Sequence, residues 1–517
     1  MPEQSLVMTE VQEELRYLFE APSLHAIRGA SAVLESLARF TLPALARRRE
    51  FSGAGIVTGG RTYVATFPSS EAGQRFSMEA KRTYRQRTSA LTLRTSQEEV
   101  SADDLVGNFG AQLRRVRGGL TSPRAGLAMH IAAYSSELHW CDQCRHYPAV
   151  HQMAGAVICR SCAARQTYVN DQDARLAITG YQSGLADASE EDLAARPVWE
   201  RLLRWLRDNG IRRSSDAASD IGDLAGRRLP NDEAVSDAAG YRAVVIAEVN
   251  DFGRVLDLSA ESQQTLRTTT RVNRLLDEAF FEAATSSAWR DRDRPLNFEV
   301  LVAGGDRIVY LLPADVALSV TARALRTFET QSSLATDGRR LNFCAGVGFL
   351  AQAMHWGTAA FSAQAAMAAA RQAYLTATAA APRGSWRSVV GFGPLEADEP
   401  IALNIGELER ATAHARALRR VGLSAVQLGP MAAALQNGAP GPLAWLTAGW
   451  TDPQRRALTA VTRDLAPPPA DAEATGNTRV WASIIALLPW TTPVVAPPPP
   501  RSRSEPDATM PATERSA

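Results

Sequence analysis

Two strongly apolar runs that flank a pair of glycines are the clearest pattern in the chain. They lie in the segment 299–313, which reads EVLVAGGDRIVYLLP. Apolar runs on either side of a Gly-Gly pair predict two β-strands joined by a tight turn. Asp306 follows Gly304 and Gly305 directly. The folding of a hairpin does not require an acid there, whereas a site where metal-bound phosphates lie against the backbone does. The segment is therefore a candidate phosphate site.

The same pattern occurs near the start of the chain. Residues 56–72 read IVTGGRTYVATFPSSEA and residues 301–317 read LVAGGDRIVYLLPADVA, so both glycines and the following proline coincide without a gap. We predict two related α+β domains, and two unrelated hairpins are the alternative. The first copy has Arg61 where the second has Asp306, so only the second offers a metal ligand at that position. Helical patterns at 24–42 and 262–284 precede the two copies.

The second hairpin has the flanking elements of a complete domain. A buried strand, YRAVVIA at 241–247, is followed by Glu248 and then by Asn250 and Gly253. The resulting order β-α-β-β-α-β is the ferredoxin-like pattern, in which the first strand and the hairpin are neighbours. We therefore expect Glu248 and Asp306 to come together. The elements predicted after the hairpin are a helix at 316–330, a strand at 341–350, a helix at 358–378 and a strand at 388–392.

The fold class predicted for the whole chain is α+β, with two ferredoxin-like (βαββαβ) domains. Residues beyond 490 are rich in proline and polar residues, which is typical of disorder. The expected division is a first ferredoxin-like domain at 1–125, a four-cysteine ribbon at 126–170, a helical linker at 171–235, a second ferredoxin-like domain at 236–395, a helical C-terminal domain at 396–490 and a disordered tail at 491–517.

Composition is that of a globular protein and excludes several classes of function. The chain has 517 residues, of which 45% are hydrophobic and 21% charged, and its net charge of +1 argues against a protein that coats nucleic acid over its whole surface. The N-terminus has no basic segment followed by an apolar one, and the longest apolar run, 481–490, is too short to span a bilayer. We expect a cytoplasmic protein without membrane association.

Lysine is nearly absent, which limits the possible chemistry. Of the 56 lysine and arginine residues only Lys81 is a lysine. The chain therefore has no Gly-Lys-Ser/Thr phosphate loop, and its second half has no lysine for a Schiff base.

Four of the five cysteines have the spacing of a metal site. Two Cys-x-x-Cys turns bring four thiolates together, which predicts a structural zinc without an open coordination position. A pair of disulfides, disfavoured in a reducing compartment, and a vestigial site without metal are the alternatives. Cys344 lies alone in an apolar strand and is expected in the core. The proposed zinc ligands are Cys141, Cys144, Cys159 and Cys162.

Three basic segments, at 47–49, 81–87 and 114–117, all lie in the first half of the chain. Such runs are commonly solvated helix faces. The functional alternative is a groove for RNA or a partner subunit, in which Tyr84 is available to stack on a base.

These features together resemble the large subunit of type III CRISPR effector complexes. That family has two palm domains, the first degenerate, with a four-cysteine zinc ribbon between them and a helical C-terminal domain. The second palm is related to diguanylate cyclases and class III nucleotide cyclases. The same order covers about residues 15–490 here, and the segment 27–37 also looks like the family's first palm.

The motifs of the second palm match the family with two departures. The family carries Asp-x-Asn-x-x-Gly after the first strand and Gly-Gly-Asp-Asp in the hairpin. Here the first acid is Glu248, and the last acid of the hairpin is replaced by Arg307. The family's N-terminal HD nuclease domain is not recognisable, so we expect no DNase activity from it. The positions that agree are Asn250, Gly253, Gly304, Gly305 and Asp306.

The resemblance implies a reaction and the residues for it. Family palms join ATP molecules into cyclic oligoadenylates and release pyrophosphate, which signals in antiviral defence. Glu248 and Asp306 would hold Mg²⁺ or Mn²⁺ and so carry the catalysis. The residues expected near ATP, or near another nucleoside triphosphate, are Gly304, Gly305, Asn250, Gly253, Arg307 and Arg371.

Arg307 divides two hypotheses about the function. If its side chain points inward, the second metal is strongly disfavoured. If it points outward, one metal site survives. The first hypothesis is an active nucleotidyltransferase. The second is a catalytically degenerate palm that serves as a scaffold or nucleotide sensor in a CRISPR-type ribonucleoprotein, with RNA-guided effector subunits or RNA as partners. A hairpin with a role in the core alone is the third possibility.

Overall fold

The structure is a computed structural model. It describes residues 4–21, 23–59, 61–88, 91–120, 139–153, 155–167, 198–211, 241–287, 296–336, 338–350, 356–380, 387–393, 400–424, 427–428, 451–464, 483–484 and 486–488. The predicted disordered tail and most of the predicted linker lie outside these residues.

The first domain is a four-stranded antiparallel sheet with the strand order β2-β3-β1-β4. This is the order of a ferredoxin-like fold, as predicted. The N-terminal strand β1 was not predicted from the sequence. Its residues are buried on both faces, so they lack the alternation of polar and apolar positions that marks a half-buried strand. The strands are β1 Gln4–Gln12, β2 Ala54–Gly59, β3 Thr62–Phe67 and β4 Thr92–Val100. The helices are Glu14–Phe19, Leu24–Glu35, a π-helix Ser36–Thr41, Leu42–Ala46 and Ser70–Thr88.

The cysteine ribbon is a short hairpin followed by a helical turn, with β5 at His151–Met153 and β6 at Ala156–Ile158. It is anchored to the first domain by Arg165, which is fully buried. The guanidinium of Arg165 pairs with Glu20 at 2.7 Å and lies over the ring of Tyr17. Gly29 allows the contact, because a Cβ there would lie 2.3 Å from the Arg165 carbonyl oxygen.

The second domain repeats the first and extends it. Its sheet has the order β12-β11-β10-β7-β9-β8, so β10-β7-β9-β8 matches β4-β1-β3-β2 of the first domain. All predicted elements of this domain are confirmed within a few residues. The strands are β7 Arg242–Val249, β8 Glu299–Gly304, β9 Arg307–Pro313, β10 Phe343–Leu350, β11 Val389–Gly393 and β12 Ile401–Asn404. The helices are Phe252–Asp257, Ser262–Ser287, Ala314–Ala335 and Trp356–Ala380.

The segment after the second domain is partly helical, and it packs against that domain. Asn404 ends β12 and caps the next helix by accepting a hydrogen bond from the Glu407 amide at 3.0 Å. Leu408 and Leu418 of that helix join the core of the second domain. The described helices of this segment are Ile405–Arg420 and Asp452–Asp464.

The outer edge of the second sheet is covered by other parts of the chain. The carbonyl of Ala303 in strand β8 accepts hydrogen bonds from Arg39 at 2.8 Å and from Arg201 at 2.7 Å. Arg39 belongs to the first domain. Arg201 belongs to the linker helix Val198–Asp208 and also binds Asp277 at 2.6 Å. Both large cores of the molecule contain side chains of both domains. The two domains are therefore closely associated.

Parts of two basic segments differ from their predicted surface role. Tyr84 is only 1% exposed and belongs to the core of the first domain, so it is not available to stack on a base. Arg117 pairs with Asp257 at 2.9 Å and Arg114 pairs with it at 3.3 Å. These two arginines lie on the helix Phe109–Leu120 and join it to the second domain. Their segment is a domain contact rather than an open groove.

Among the described residues, no helix combines the length and the apolar composition that crossing a membrane requires.

Candidate functional site

The four cysteines form a compact and buried cluster. Their sulfur atoms all lie within 4.8 Å of one another, and the Cys144 and Cys159 sulfurs are 3.8 Å apart. A tetrahedral zinc with bonds of about 2.3 Å has sulfur–sulfur edges of about 3.8 Å. The predicted ligand set therefore fits a zinc ion. It is the sole group of three or more potential metal ligands found within the described part of the chain.

The strand β7 and the β8–β9 hairpin place Glu248 and Asp306 at the same end of the sheet, where the register partner of Glu248 is Arg307 rather than Asp306. Gly305 and Asp306 form the turn, and Gly305 has φ of 67°, a conformation that glycine adopts without strain. The carbonyl of Asp306 accepts a hydrogen bond from the Val249 amide at 2.7 Å. Asp306 is partly exposed at the turn.

Arg307 points inward and binds Glu248. The two residues are direct partners in the register of β7 and β9, so their side chains lie on the same face of the sheet. The Arg307 Nε donates to Glu248 Oε1 at 2.7 Å, and its Nη2 donates to the same oxygen. Arg307 is 9% exposed and Glu248 is 2% exposed. This is a buried ion pair in the place where the family has an acid.

The remaining contacts of this pair come from two other elements. The Arg307 Nη1 donates to Glu14 Oε2 at 3.2 Å, and Glu14 belongs to the first domain. Arg371, on the helix Trp356–Ala380, donates to Glu248 Oε2. The side chain of Arg371 is 49% exposed, so it lies at the rim of the site. Both carboxylate oxygens of Glu248 are thus bound by arginine.

This arrangement does not fit Mg²⁺ at Glu248. Magnesium requires oxygen ligands at about 2.0–2.1 Å in a near-octahedral arrangement. The guanidinium of Arg307 is bound to Glu248 Oε1 and that of Arg371 to Oε2. Asp306 and Glu248 are the metal ligands that the sequence predicts, and the charge of Glu248 is already neutralised by arginine.

The electrostatics of Glu248 and Glu14 differ. Burial alone would raise the pKa of Glu248, but the charge and hydrogen bonds of Arg307, with the charge of Arg371, hold that pKa below its usual value. Burial raises the pKa of Glu14, although Arg307 and Arg61 oppose the change. Burial would lower the pKa of Arg307, but the charges of Glu14 and Glu248 outweigh it and raise that pKa.

The predicted residues after β7 lie beside the pair. Asn250 is 7% exposed, and its amide nitrogen Nδ2 has no hydrogen-bond partner among the described residues. The next residue, Asp251, has φ of 56°, an uncommon conformation for a residue other than glycine. Gly253 lies against the Arg117 side chain at the contact between the domains. The predicted roles of Asn250 and Gly253 near a phosphate remain predictions.

Glu14 is the residue that the sequence reasoning missed. It follows β1 in the first domain and is 5% exposed, although it is 293 residues from its partner Arg307. The available signal was weak, because Glu13 and Glu14 read as ordinary polar residues at the start of a helix. The β1 strand before them, once known, places Glu14 at the same end of its sheet as the hairpin turn.

Two ferredoxin-like domains, a four-cysteine ribbon between them and a strand–hairpin site in the second domain define a tandem palm protein. Among solved structures, the chain is similar to Csm1 from T. onnurineus, with a TM-score of 0.54, 13% identity and coverage of 94% of this chain and 70% of that one. It is also similar to a Csm1-Csm4 cassette in complex with pppApApA, with a TM-score of 0.51, 12% identity and coverage of 94% and 70%. A cassette in complex with cA3 gives a TM-score of 0.50, 13% identity and coverage of 95% and 70%.

The chain has the fold of Csm1, and the predicted resemblance to the large subunit of type III CRISPR complexes is confirmed at the level of the fold. No protein-family model matches the sequence, and no characterised protein matches it by sequence.

Proposed function

We propose that the chain is the large subunit of a type III CRISPR-type effector complex whose second palm binds nucleotide without catalysing nucleotidyl transfer. The observation that carries the proposal is the inward position of Arg307, with both oxygens of Glu248 bound by arginine. This favours the degenerate palm over the active nucleotidyltransferase.

The chemistry of the transfer explains why this position matters. Attack of a 3′-hydroxyl on an α-phosphate needs metal ions that activate the nucleophile and neutralise the leaving pyrophosphate. Arg307 supplies positive charge at Glu248, but unlike a metal ion it cannot coordinate and activate the attacking hydroxyl. Transfer would require Arg307 and Arg371 to leave Glu248 first. Leaving a buried carboxylate unpaired costs about 3–5 kcal/mol.

Nucleotide binding is supported by the residues around the hairpin. The turn at Gly305 presents backbone without a Cβ, so a phosphate can approach it closely. The half-exposed Arg371 is a donor for phosphate oxygens at the rim of the site. The similar cassette structure contains pppApApA, so we propose ATP as the nucleotide and expect Gly304, Gly305 and Arg371 to contact it.

The remaining parts of the proposal concern the ribbon and the partners. The four cysteines would hold a structural zinc, which would fix the ribbon that Arg165 anchors to the first palm. Because the similar cassette structure pairs Csm1 with Csm4, we propose RNA-guided effector subunits as partners, in the cytoplasm.

The proposal is tested by following pyrophosphate release and nucleotide binding. The protein, alone and assembled with guide and target RNA, is incubated with ATP and then GTP in Mg²⁺ or Mn²⁺. We expect no release above that of the Asp306→Ala variant, and we expect ATP to raise the melting temperature. Release that Asp306→Ala abolishes would establish the nucleotidyltransferase instead. If the protein neither releases pyrophosphate nor is stabilised by ATP, the hairpin has a role in the core alone.

A further inference from the structure

The first palm contains a pairing of glutamate and arginine similar to that of the second, with the arginine one residue earlier in the hairpin and the pair partly exposed. Thr62 coincides with Arg307 in the repeat, and Glu10 is the register partner of Thr62 just as Glu248 is the partner of Arg307. Glu10 therefore occupies the position of Glu248 in the first palm. Its carboxylate is bound by the hairpin residue Arg61 at 3.3 Å. Each palm thus pairs its first-strand glutamate with an arginine of its own hairpin.

Glu14 connects the two pairings across the boundary between the palms. It accepts a hydrogen bond from Arg307 at 3.2 Å while that guanidinium also binds Glu248. Arg61 and Asp306 both lie close enough to Glu14 to interact with it electrostatically. Each hairpin therefore places a charged residue near this buried carboxylate, and Arg307 of the second hairpin binds it directly.

Each glutamate of this network already has a guanidinium as its counter-charge. Arg307 binds Glu14 and Glu248, Arg371 also binds Glu248, and Arg61 binds Glu10. A buried carboxylate needs a counter-charge, which a metal ion or a guanidinium can supply. A guanidinium supplies it together with directed hydrogen bonds and does not dissociate.

We infer that the hairpin arginines take the place of a divalent cation in both palms, with Arg307 joining Glu248 to Glu14 and Arg61 binding Glu10. This inference deepens the proposed function and rests on it, since it explains why the second palm needs no metal. The contact between the palms is then independent of divalent cations, and Arg307 is a positioning residue that holds the two domains together.

Removal of the Arg307 guanidinium exposes the site to metal ions. The variant Arg307→Met leaves the carboxylates of Glu14 and Glu248, both of which Arg307 binds, without that charge, and carboxylate oxygens are ligands for Mn²⁺. The variant Arg307→Lys retains a cation and serves as the matched control. The variant Arg28→Met removes a different contact between the palms, the pair with Glu299 at 2.5 Å.

The test measures Mn²⁺ binding by electron paramagnetic resonance, together with the melting temperature, on zinc-loaded full-length protein without nucleotide. We expect no Mn²⁺ bound near the hairpin in the wild type, Arg307→Lys or Arg28→Met. We expect Arg307→Met to bind Mn²⁺ and to gain about 3 °C or more in melting temperature from it. If Arg307→Met folds only when Mn²⁺ is added, that result also supports the inference.

Two results would overturn the inference. One is Mn²⁺ binding by the wild type that Glu248→Gln removes, because Arg307 would then not exclude the metal. The other is the failure of both Arg307→Met and the less charged Glu14→Gln/Arg307→Met to bind Mn²⁺. Because no nucleotide is present, these results are independent of pyrophosphate release, which tests the proposed function.

Discussion

At the scale of the residue, the state of the site is decided by the contacts of Glu248. Its carboxylate is buried, and its oxygens are bound by Arg307 and Arg371. Without these arginines, the carboxylate of Glu248 would be free to act as a metal ligand. The identity of the residue at position 307 therefore determines what Glu248 can do.

The ion pairs of Glu248 predict how stability depends on pH. The pKa of Glu248 is lowered in the fold, so its contribution is present above the ordinary value of 4.5 and is lost as the pH falls through the folded-state pKa. We expect Glu248→Gln to lower the free energy of unfolding by about 3 kcal/mol at neutral pH. The difference from the wild type should shrink below pH 4.5.

Urea unfolding at neutral and acidic pH measures this effect. Glu282→Gln, which removes a half-exposed pair with Arg323, is the control and should cost less than about 1 kcal/mol. If the free energies of unfolding of Glu248→Gln and the wild type differ by the same amount at every pH, the ionised carboxylate is not stabilised by its arginines.

At the scale of the element, the cysteine ribbon depends on a close contact with the first palm. The Arg165 backbone lies directly against Gly29, and the Arg165 side chain is buried against Glu20 and Tyr17. The position of the ribbon is therefore tied to the helix Leu24–Glu35.

Substitution of Gly29 tests this contact. In Gly29→Ala the new Cβ would lie 2.3 Å from a backbone oxygen, so the ribbon must shift. We expect a loss of about 1–3 kcal/mol in the free energy of unfolding and faster release of zinc to a chelator. Gly107→Ala is the control, because a Cβ there meets no atom within 4 Å. Equal zinc release by the two variants would contradict the contact.

The sequence predicted the local elements well because their signals are local. The Gly-Gly pairs between apolar runs marked both hairpins, and the cysteine spacing marked the ribbon. It did not predict β1, since a strand buried on both faces has no alternation, nor Glu14, whose partner Arg307 is remote in the chain. Tyr84 was misassigned because its burial in a basic helix depends on the packing of the whole domain.

At the scale of the molecule, the two palms form one closely associated unit. A partner must therefore bind to the outer surface of this unit. After the burial of Tyr84 and the pairing of Arg114 and Arg117, two basic surfaces remain as candidates for RNA. One is the exposed segment 47–49, and the other is the exposed basic face of the helix Ser70–Thr88, which is the larger of the two. Lys81, Arg82 and Arg85 are exposed on this helix.

Charge reversal tests this surface. We expect Arg82→Glu/Arg85→Glu to lose most of the RNA that co-purifies with the protein, because phosphate contacts dominate such binding. The matched control is Arg323→Glu/Arg326→Glu, which has the same spacing on an exposed helix of the second palm. RNA content that both variants retain equally would exclude the basic helix as the site.

The position of Arg307 in the presence of ligands is the most direct test of a metal-free palm. An experimental structure of the protein with ATP and millimolar MnCl₂ shows both the guanidinium and any bound manganese, the latter by anomalous scattering. We expect Arg307 between Glu248 and Glu14, with no manganese at the hairpin. Manganese bound by Glu248 and Asp306, with Arg307 turned away, would contradict this expectation.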